Sequence, residues 1–426
     1  MKQLIKLSLG LLLASGAAYA DTLIHAGSLI DGEADRAVND RTIRVSNGTI
    51  LAIEDGFTTP ASGDTVIDLR NATVMPGLID THVHITSQYS ARSNVNRFVL
   101  NEADYAFDAA MYANRTLEAG FTVVRDLGSG YNVAIALRKA IEAGDVPGPM
   151  ILAAGTSLAS TGGHADSTNG WAARFGADPG PKEGVVNGVE DARKAVRQRY
   201  KDGADWIKIT ATGGVLSVAK SGQNPQFTME ELEAIVDTAS DYGLRVAAHA
   251  HGTEGMKRAV LAGVASIEHG TFMSEEVMDL MIERGTYWVP TIVAGDWVAE
   301  KAAIDGFFPE LVRPKAAAIG PLIAETFRKA YARGVPIVFG TDTGVSPHGA
   351  NGKEFALMVA GGMPAMETIQ SATSVAADFL EIGETHGRLQ TGYQADIVAV
   401  QGNPLDDISL MQRVAFVMKG GVVYKD

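Results

Sequence analysis

A (β/α)8 barrel, carrying a small composite β-sandwich made from both chain ends, is the α/β fold this sequence predicts, and three observations lead to it. Between residues 75 and 384, apolar β-type segments alternate with segments whose apolar residues recur every three to four positions, the pattern of strand–helix units around a parallel sheet. Short β-type runs separated by turn residues fill 21–74 and 385–426. Polar side chains stand at the C-terminal ends of five barrel segments, the rim where this architecture carries chemistry.

Residues 1–20 read as a secretory signal peptide: Lys2 and Lys6, an apolar Leu7–Leu13 run, then the small-residue end Ala18-Tyr19-Ala20. The apolar run is too short to span a bilayer and no later one is long enough, so the mature chain, from near Asp21, is expected to be soluble and exported, periplasmic or secreted. Next come Leu23-Ile24, Thr42–Val45, Thr49–Ile53 and Val66–Leu69, with Asn47-Gly48 as a hairpin turn. The far end repeats the style in Asp396–Val400, Val414–Met418 and Val422–Tyr424, with Gly420-Gly421 as a turn. Neither end has enough strands to close a core, so the two are expected to pair.

The barrel strands are expected at Val74–His84, Phe121–Asp126, Met150–Gly155, Trp206–Thr210, Arg245–His249, Ala265–His269, Thr286–Thr291 and Pro336–Asp342. Helices are expected at Ala103–Ala119, Val189–Asp202, Met229–Tyr242, Gly255–Ala262, Ser274–Glu283 and Ile323–Arg333. Thr228 before Met229-Glu230-Glu231 is a capping-box start, and Gly243 a C-terminal stop. Residues 156–187, rich in Gly, Asp and Pro, form the longest inserted loop and read as a lid over the barrel mouth.

With no cysteine, the chain has no disulfide, thiolate metal site or cysteine nucleophile, and any transition metal must be held by His, carboxylate or modified Lys. A net charge of −14 makes nucleic acid and anionic membrane poor partners.

His82 and His84 are two apart on an expected strand, so both imidazoles share a face and can meet one divalent ion, although hydrogen-bonded core histidines would look the same. Lys208, among Trp206, Ile207 and Ile209, would be buried at a cost unless paired or modified. Beside metal ions a neutral lysine amine can add carbon dioxide and bridge two cations as a carbamate; the plainer alternative is a salt bridge to Asp126 or Glu268. His249, His251, His269 and Asp342 complete the polar rim.

The sequence resembles the amidohydrolase superfamily, and within it the imidazolonepropionase-like and Xaa-Pro dipeptidase branch that includes ochratoxin-hydrolysing amidohydrolases. The matching elements are Pro76 to His84, Thr161-Gly162-Gly163-His164, Trp206-Ile207-Lys208-Ile209, His249-Ala250-His251-Gly252, Ile267-Glu268-His269-Gly270 and Gly340-Thr341-Asp342. The resemblance implies that His82 and His84 bind the more buried of two divalent metals and that His249 and His269 bind the other. It implies further that a carboxylated Lys208 bridges the pair and that Asp342 touches the first metal and shuttles protons. His164 would contact the substrate carbonyl, and His251 would stand beside the metals or face substrate, with spacing leaving open its exchange with His249. Zinc suits such ligands, as do manganese and cobalt. Imidazolonepropionases use one metal and lack the bridging lysine, so Lys208 favours the two-metal dipeptidase side. Relatives of this kind are commonly homo-oligomers, and the resemblance implies an assembly.

The expected activity is hydrolysis of a small-molecule amide, releasing a C-terminal amino acid from a dipeptide or N-acyl amino acid, ochratoxin-type amides included. Such a substrate needs a cation for its carboxylate; Arg92, Arg97 and Lys220 are candidates, with His348 in the loop after the last strand, and Trp171, Phe227 and Tyr287 could wall the site. Competing readings are an imidazolonepropionase-like cyclic-amide hydrolase and a non-catalytic periplasmic metal-binding protein; Asp342 argues against the second, since a carrier needs no proton shuttle.

Overall fold

The computed structural model describes residues 20–176 and 178–426; the predicted signal peptide lies outside them apart from Ala20. The two chain ends meet in one sheet. It contains β1 (Thr22–Leu29), β2 (Val38–Ser46), β3 (Thr49–Asp55) and β4 (Thr65–Pro76) from the N-terminal side. From the barrel it receives no strand until the C-terminal end, which supplies three more. Before those, in chain order, come β5 (Leu78–Val83), β6 (Phe121–Asp126), β7 (Met150–Ala153), β8 (Trp206–Thr210), β9 (Arg245–Ala250), β10 (Ser266–His269) and β11 (Tyr287–Val289). The last are β12 (Ile397–Gln401), β13 (Val414–Lys419) and β14 (Val422–Lys425).

The end-to-end sheet has the order β14-β13-β12-β4-β1-β2-β3, and the joint is the antiparallel β4–β12 pair, in which Val74 faces Ala399. Asn47 and Gly48 both take positive φ, the conformation a two-residue hairpin needs. Ile50 N donates to Tyr393 O (2.9 Å) and Ala395 N to Gly48 O (2.8 Å), so the outer strand returns to the segment entering β12. The expected sandwich is therefore a single sheet curled over its own core of Ile24, Ile43, Val74, Ile397, Phe416 and Met418.

The predicted first barrel strand, Val74–His84, divides at Gly77: β4 stays in the end sheet and β5 enters the barrel. A Cβ at Gly77 would lie 2.2 Å from Thr122 Oγ1 and 2.7 Å from its methyl, so only a hydrogen fits at this corner. Strands β5, β6 and β7 run parallel, as do β8 to β11. Leu158 spans β7 to β8, donating to Lys208 O (2.8 Å) and accepting from Thr210 N (3.0 Å).

The eighth predicted strand, Pro336–Asp342, forms no regular ladder, yet it lies between β11 and β5 and closes the ring. Val338 N bonds Trp288 O (3.0 Å), Thr81 N bonds Phe339 O (3.1 Å) and Asp342 N bonds His82 O (2.7 Å). Its irregularity has a cause in the Asp80 carboxylate, which takes the Thr341 N–H (3.1 Å) and hydroxyl (2.6 Å), and in the left-handed backbone of Asp342 (φ 55°).

Helices such as Glu102–Glu118, Val189–Asp202, Thr253–Ala262 and Glu275–Arg284 cover the barrel near their predicted places. Thr228 caps Met229–Asp241 as expected, exchanging bonds with Glu231. The last long helix starts ten residues earlier than predicted, at Arg313, with a proline in its first turn and Pro321 within it. It packs against Ile292–Ala302, a helix buried through Ile292, Val293, Ala294, Val298 and Ala302.

Gly77→Ala is expected to destabilise the fold by about 1–3 kcal/mol, the usual cost of forcing atoms into a filled corner. A urea midpoint equal to that of the wild type would show that the corner has room.

Candidate active site and metal centre

The barrel brings its polar strand ends into one chamber of about 770 Å³, measured to its open mouth. His82, His84, His164, Lys208, His249, His251, His269 and Asp342 all line it. The rim expected from sequence is thus one site.

Each imidazole is fixed through one ring nitrogen, which sets what the other can do. His82 Nδ1 bonds Glu268 Oε2 (2.8 Å) and His84 Nδ1 bonds Gly128 O (2.9 Å), leaving both Nε2 atoms towards Asp342 Oδ1, at 3.5 and 3.2 Å. Ligand atoms of His82, His84 and Asp342 lie within 4.8 Å of one another, a spacing suited to one metal ion. His269 Nδ1 bonds the Thr291 hydroxyl (2.8 Å) and His251 Nδ1 the Thr271 hydroxyl (2.9 Å). His249 differs, setting Nε2 on Gly213 O (3.2 Å), which leaves Nδ1 available. The His249 and His269 ring centres are 4.7 Å apart, and those of His82 and His269 5.1 Å. His251 stacks on His269 at 5.1 Å.

Lys208 is 3% exposed, and its Nζ has no hydrogen-bond partner among the described residues. Neither Glu268 nor Asp126, the acids expected to pair with it, forms a salt bridge to it, although Asp126 Oδ2 is buried without a hydrogen bond among the described residues. Glu268 accepts from Arg125 (3.0 Å), the Ser266 hydroxyl (2.5 Å) and His82, and Asp126 Oδ1 accepts from Ile85 N (2.8 Å). Burial pushes the ammonium down to about 8, against the pull of Glu268 and Asp342. Burial also pushes the Asp342 carboxyl up, but His82, His84 and Lys208 together hold it below its ordinary value, so it is ionised at neutral pH. His82 is lowered to about 4 by burial and by the Lys208 charge, so its Nε2 carries a free lone pair. His82 Nε2, Lys208 Nζ and Asp342 Oδ1 are all buried without a hydrogen bond among the described residues. Such a set fits a cation and fits poorly with nothing.

His164 stacks on His249 at 4.3 Å, with Nδ1 against the Ser217 hydroxyl and its backbone N–H on Gln226 Oε1 (2.8 Å). Burial lowers it to about 4, so it is a neutral imidazole. The remaining wall is mostly apolar, with Leu127, Val215, Leu216, Val298, Ile319 and Ile323, broken by Ser157, Thr210 and Thr291.

Six residues expected to contact substrate lie outside the chamber. His348 does not line the chamber; it stacks on Tyr112 (4.5 Å) and bonds Ser87 O through Nε2 (2.9 Å). Trp171 packs against Phe98, Phe227 is buried core, and Tyr287 packs on Phe379, so the aromatic wall expected from sequence is replaced by aliphatic side chains. Arg92 and Lys220 do not line the chamber. Reading the sequence also missed Ser217 and the threonines that hold the histidines, because short hydroxyl residues in loops carry no pattern of their own.

An amidohydrolase-family model matches residues 73–424, and the chain belongs to that family: it is a hydrolase acting on carbon–nitrogen bonds of the amide type. It is 33% identical to an ochratoxinase of Aspergillus niger over 95% of this chain and 86% of that one. The fold superposes on a crystal structure of an Xaa-Pro dipeptidase with methionine bound in its active site, with a TM-score of 0.93 and 55% identity over 96% of this chain and all of the other. A prolidase complexed with N-methylphosphonate-L-proline is also similar, with a TM-score of 0.87 and 32% identity over 95% of this chain and 100% of that one.

In metal-free protein the unfolded chain keeps the lysine proton to about pH 10.5 and the folded chain only to about 8. Unfolded chains then bind more protons in that window, so folding stability attributable to Lys208 rises with pH, by on the order of 3 kcal/mol across it. Denaturant titrations in chelator at pH 8 and pH 10.5 check this: Lys208→Met should lack that rise, and equal slopes in both proteins would contradict it.

Proposed function

We propose that this enzyme is a binuclear metal-dependent amide hydrolase that releases a C-terminal amino acid from dipeptides or N-acyl amino acids, ochratoxin-type amides among them. One observation carries the reading: three buried ligand-type atoms, on His82, Lys208 and Asp342, meet in one chamber without a hydrogen bond among the described residues. The ochratoxinase and dipeptidase likenesses support the substrate class.

His82, His84 and Asp342 would hold one divalent ion, and His249 and His269 the second. Lys208, as a carbamate, would join them, which removes a buried ammonium that has no hydrogen-bond acceptor among the described residues. Zinc suits this donor set, with manganese and cobalt as alternatives. Such ions supply Lewis acidity, lowering the pKa of a water and polarising the scissile carbonyl. Asp342, ionised and 3.2 Å from His84, accepts the proton of the attacking water and returns it to the departing amine. His164, with Nδ1 engaged by Ser217, donates from Nε2 to the carbonyl oxygen as negative charge builds there. His251, fixed by Thr271, faces substrate.

Assembly as a homo-oligomer and export of the mature chain belong to the same reading. Exposed Val95, Phe98, Val99, Phe107 and Met111 on two successive helices support the first, and the character of residues 1–20 the second.

Incubation with Xaa-Pro and Xaa-Phe dipeptides, N-acyl amino acids and a five-membered lactam, with added zinc, tests the reading. Release of free amino acid is expected; turnover of the lactam alone would favour the cyclic-amide alternative, and no turnover at all the metal carrier. Asp342→Asn should lower kcat by about 10²–10⁴-fold while retaining part of the metal. Near-wild-type turnover in that variant would remove Asp342 as the proton shuttle.

A further inference from the structure

Beside the chamber lies a second one of about 1260 Å³, again measured to its mouth. Both are lined by His84, Leu216 and Val345, so they are two halves of one cleft that meet at the proposed metal ligands. Their chemistry differs. The first half is mainly aliphatic outside the ligand set, whereas the second is walled by Tyr89, Tyr105, Tyr112 and Tyr131 with Gln88 and Asn94. An amide held at the junction would put its two sides in unlike surroundings.

A free carboxylate needs a cation, and few are on offer. Lys208 belongs to the metal ligands in the reading above. Lys315, next to His251, has its three N–H groups on the carbonyls of Gly214 (3.1 Å), Ser217 (2.8 Å) and Ala219 (2.9 Å), which uses every donor of an ammonium. Among the described residues lining the two halves, the remaining base other than histidine is Arg97. Its guanidinium makes one long contact, from Nη1 to Asn169 O at 3.4 Å, and forms no ion pair among the described residues, although Asp108 lines the same half. Asn169 in turn bonds Gly163 O (2.5 Å), beside His164. Arg97 is an exposed residue that lines this half together with Tyr89 and Tyr105. In a chain with 50 acidic and 36 basic residues, an arginine without a carboxylate at the mouth of a polar chamber is placed to receive one.

We infer that the second half binds the amino-acid end of the substrate, with its α-carboxylate on the Arg97 guanidinium, and that the aliphatic half takes an apolar or aromatic acyl group. This rests on the amide-hydrolase reading and adds a direction of binding to it. Planar guanidinium pairs with carboxylate through two parallel N–H bonds, so lysine is an incomplete substitute.

The test uses the full chain with zinc, as wild type, Arg97→Gln and Arg97→Lys, on N-benzoyl-L-phenylalanine and its carboxamide. The wild type should prefer the acid. Arg97→Gln should raise KM for the acid by 10- to 100-fold, with most of the loss in KM rather than kcat, and should erase the preference over the carboxamide; Arg97→Lys should recover part of both. A KM for the acid that stays put in Arg97→Gln, or a loss equal for acid and carboxamide, overturns the inference while the hydrolase reading stands. Calorimetric titration separates the two ideas without turnover. Wild-type binding of L-phenylalanine but not its amide, lost in Arg97→Gln, upholds the inference even if neither benzoyl compound is cleaved, an outcome that would sink the hydrolase reading instead. Equal binding of L-phenylalanine by wild type and Arg97→Gln overturns the inference.

Discussion

An ammonium buried with no acceptor among the described residues is the constraint on which this structure turns. Taking a charged amine out of water costs several kcal/mol unless a partner replaces the lost hydration. Lys208 sits within reach of the field of Glu268 and Asp342, but Glu268 is filled by Arg125, Ser266 and His82. Arg125 is itself held over Trp206 (4.5 Å) and Phe379 (4.9 Å), so the acid that would most simply neutralise Lys208 is engaged from below. The fold leaves the amine facing a ring of imidazoles, an arrangement that makes sense when the amine is chemically altered and the ring shares cations.

The barrel fixes that ring through its backbone. His269, Thr291 and Asp342 take left-handed φ values of 71°, 53° and 55°, which cost energy for residues with a Cβ and persist only where neighbours determine them. Trp288 Nε1 holds His269 O at 3.1 Å, and the buried Glu354 carboxylate caps the helix that follows Thr291 through Ile292 N (2.8 Å) and Val293 N (2.7 Å). Asp80, below the histidine pair, collects His82 N, Thr341 and Asn351, tying β5 to the irregular eighth segment. Strain at the rim is thus carried by hydrogen bonds one layer beneath it.

Much of this was legible in the sequence, for physical reasons. Periodicity two and periodicity near 3.6 separate strands from helices wherever one face is apolar, and polar residues at strand ends stand out against such runs. The same rules explain the failures. Ile292–Ala302 is apolar on most of its surface and gives no helical stripe, so the helix that walls the chamber went unread. Pro336–Asp342 looked like a strand, but a side chain from β5 replaces part of its ladder. His348 looked like a site residue because it follows the last strand, yet its ring turns away to stack on Tyr112. Lys315 comes from a helix about 100 residues beyond the loop it grips, and no spacing along the chain announces such a contact.

The most direct test of the central claim is the metal content of the wild-type protein, measured by plasma mass spectrometry after dialysis against metal-free buffer, alongside a crystal structure phased at a metal absorption edge. About two divalent ions per chain, one among His82, His84 and Asp342 and one at His249 and His269 with density bridging them from Lys208, is the predicted result. A chain that holds no metal even after incubation with zinc, with Lys208 Nζ bonded to a protein carboxylate, would contradict it.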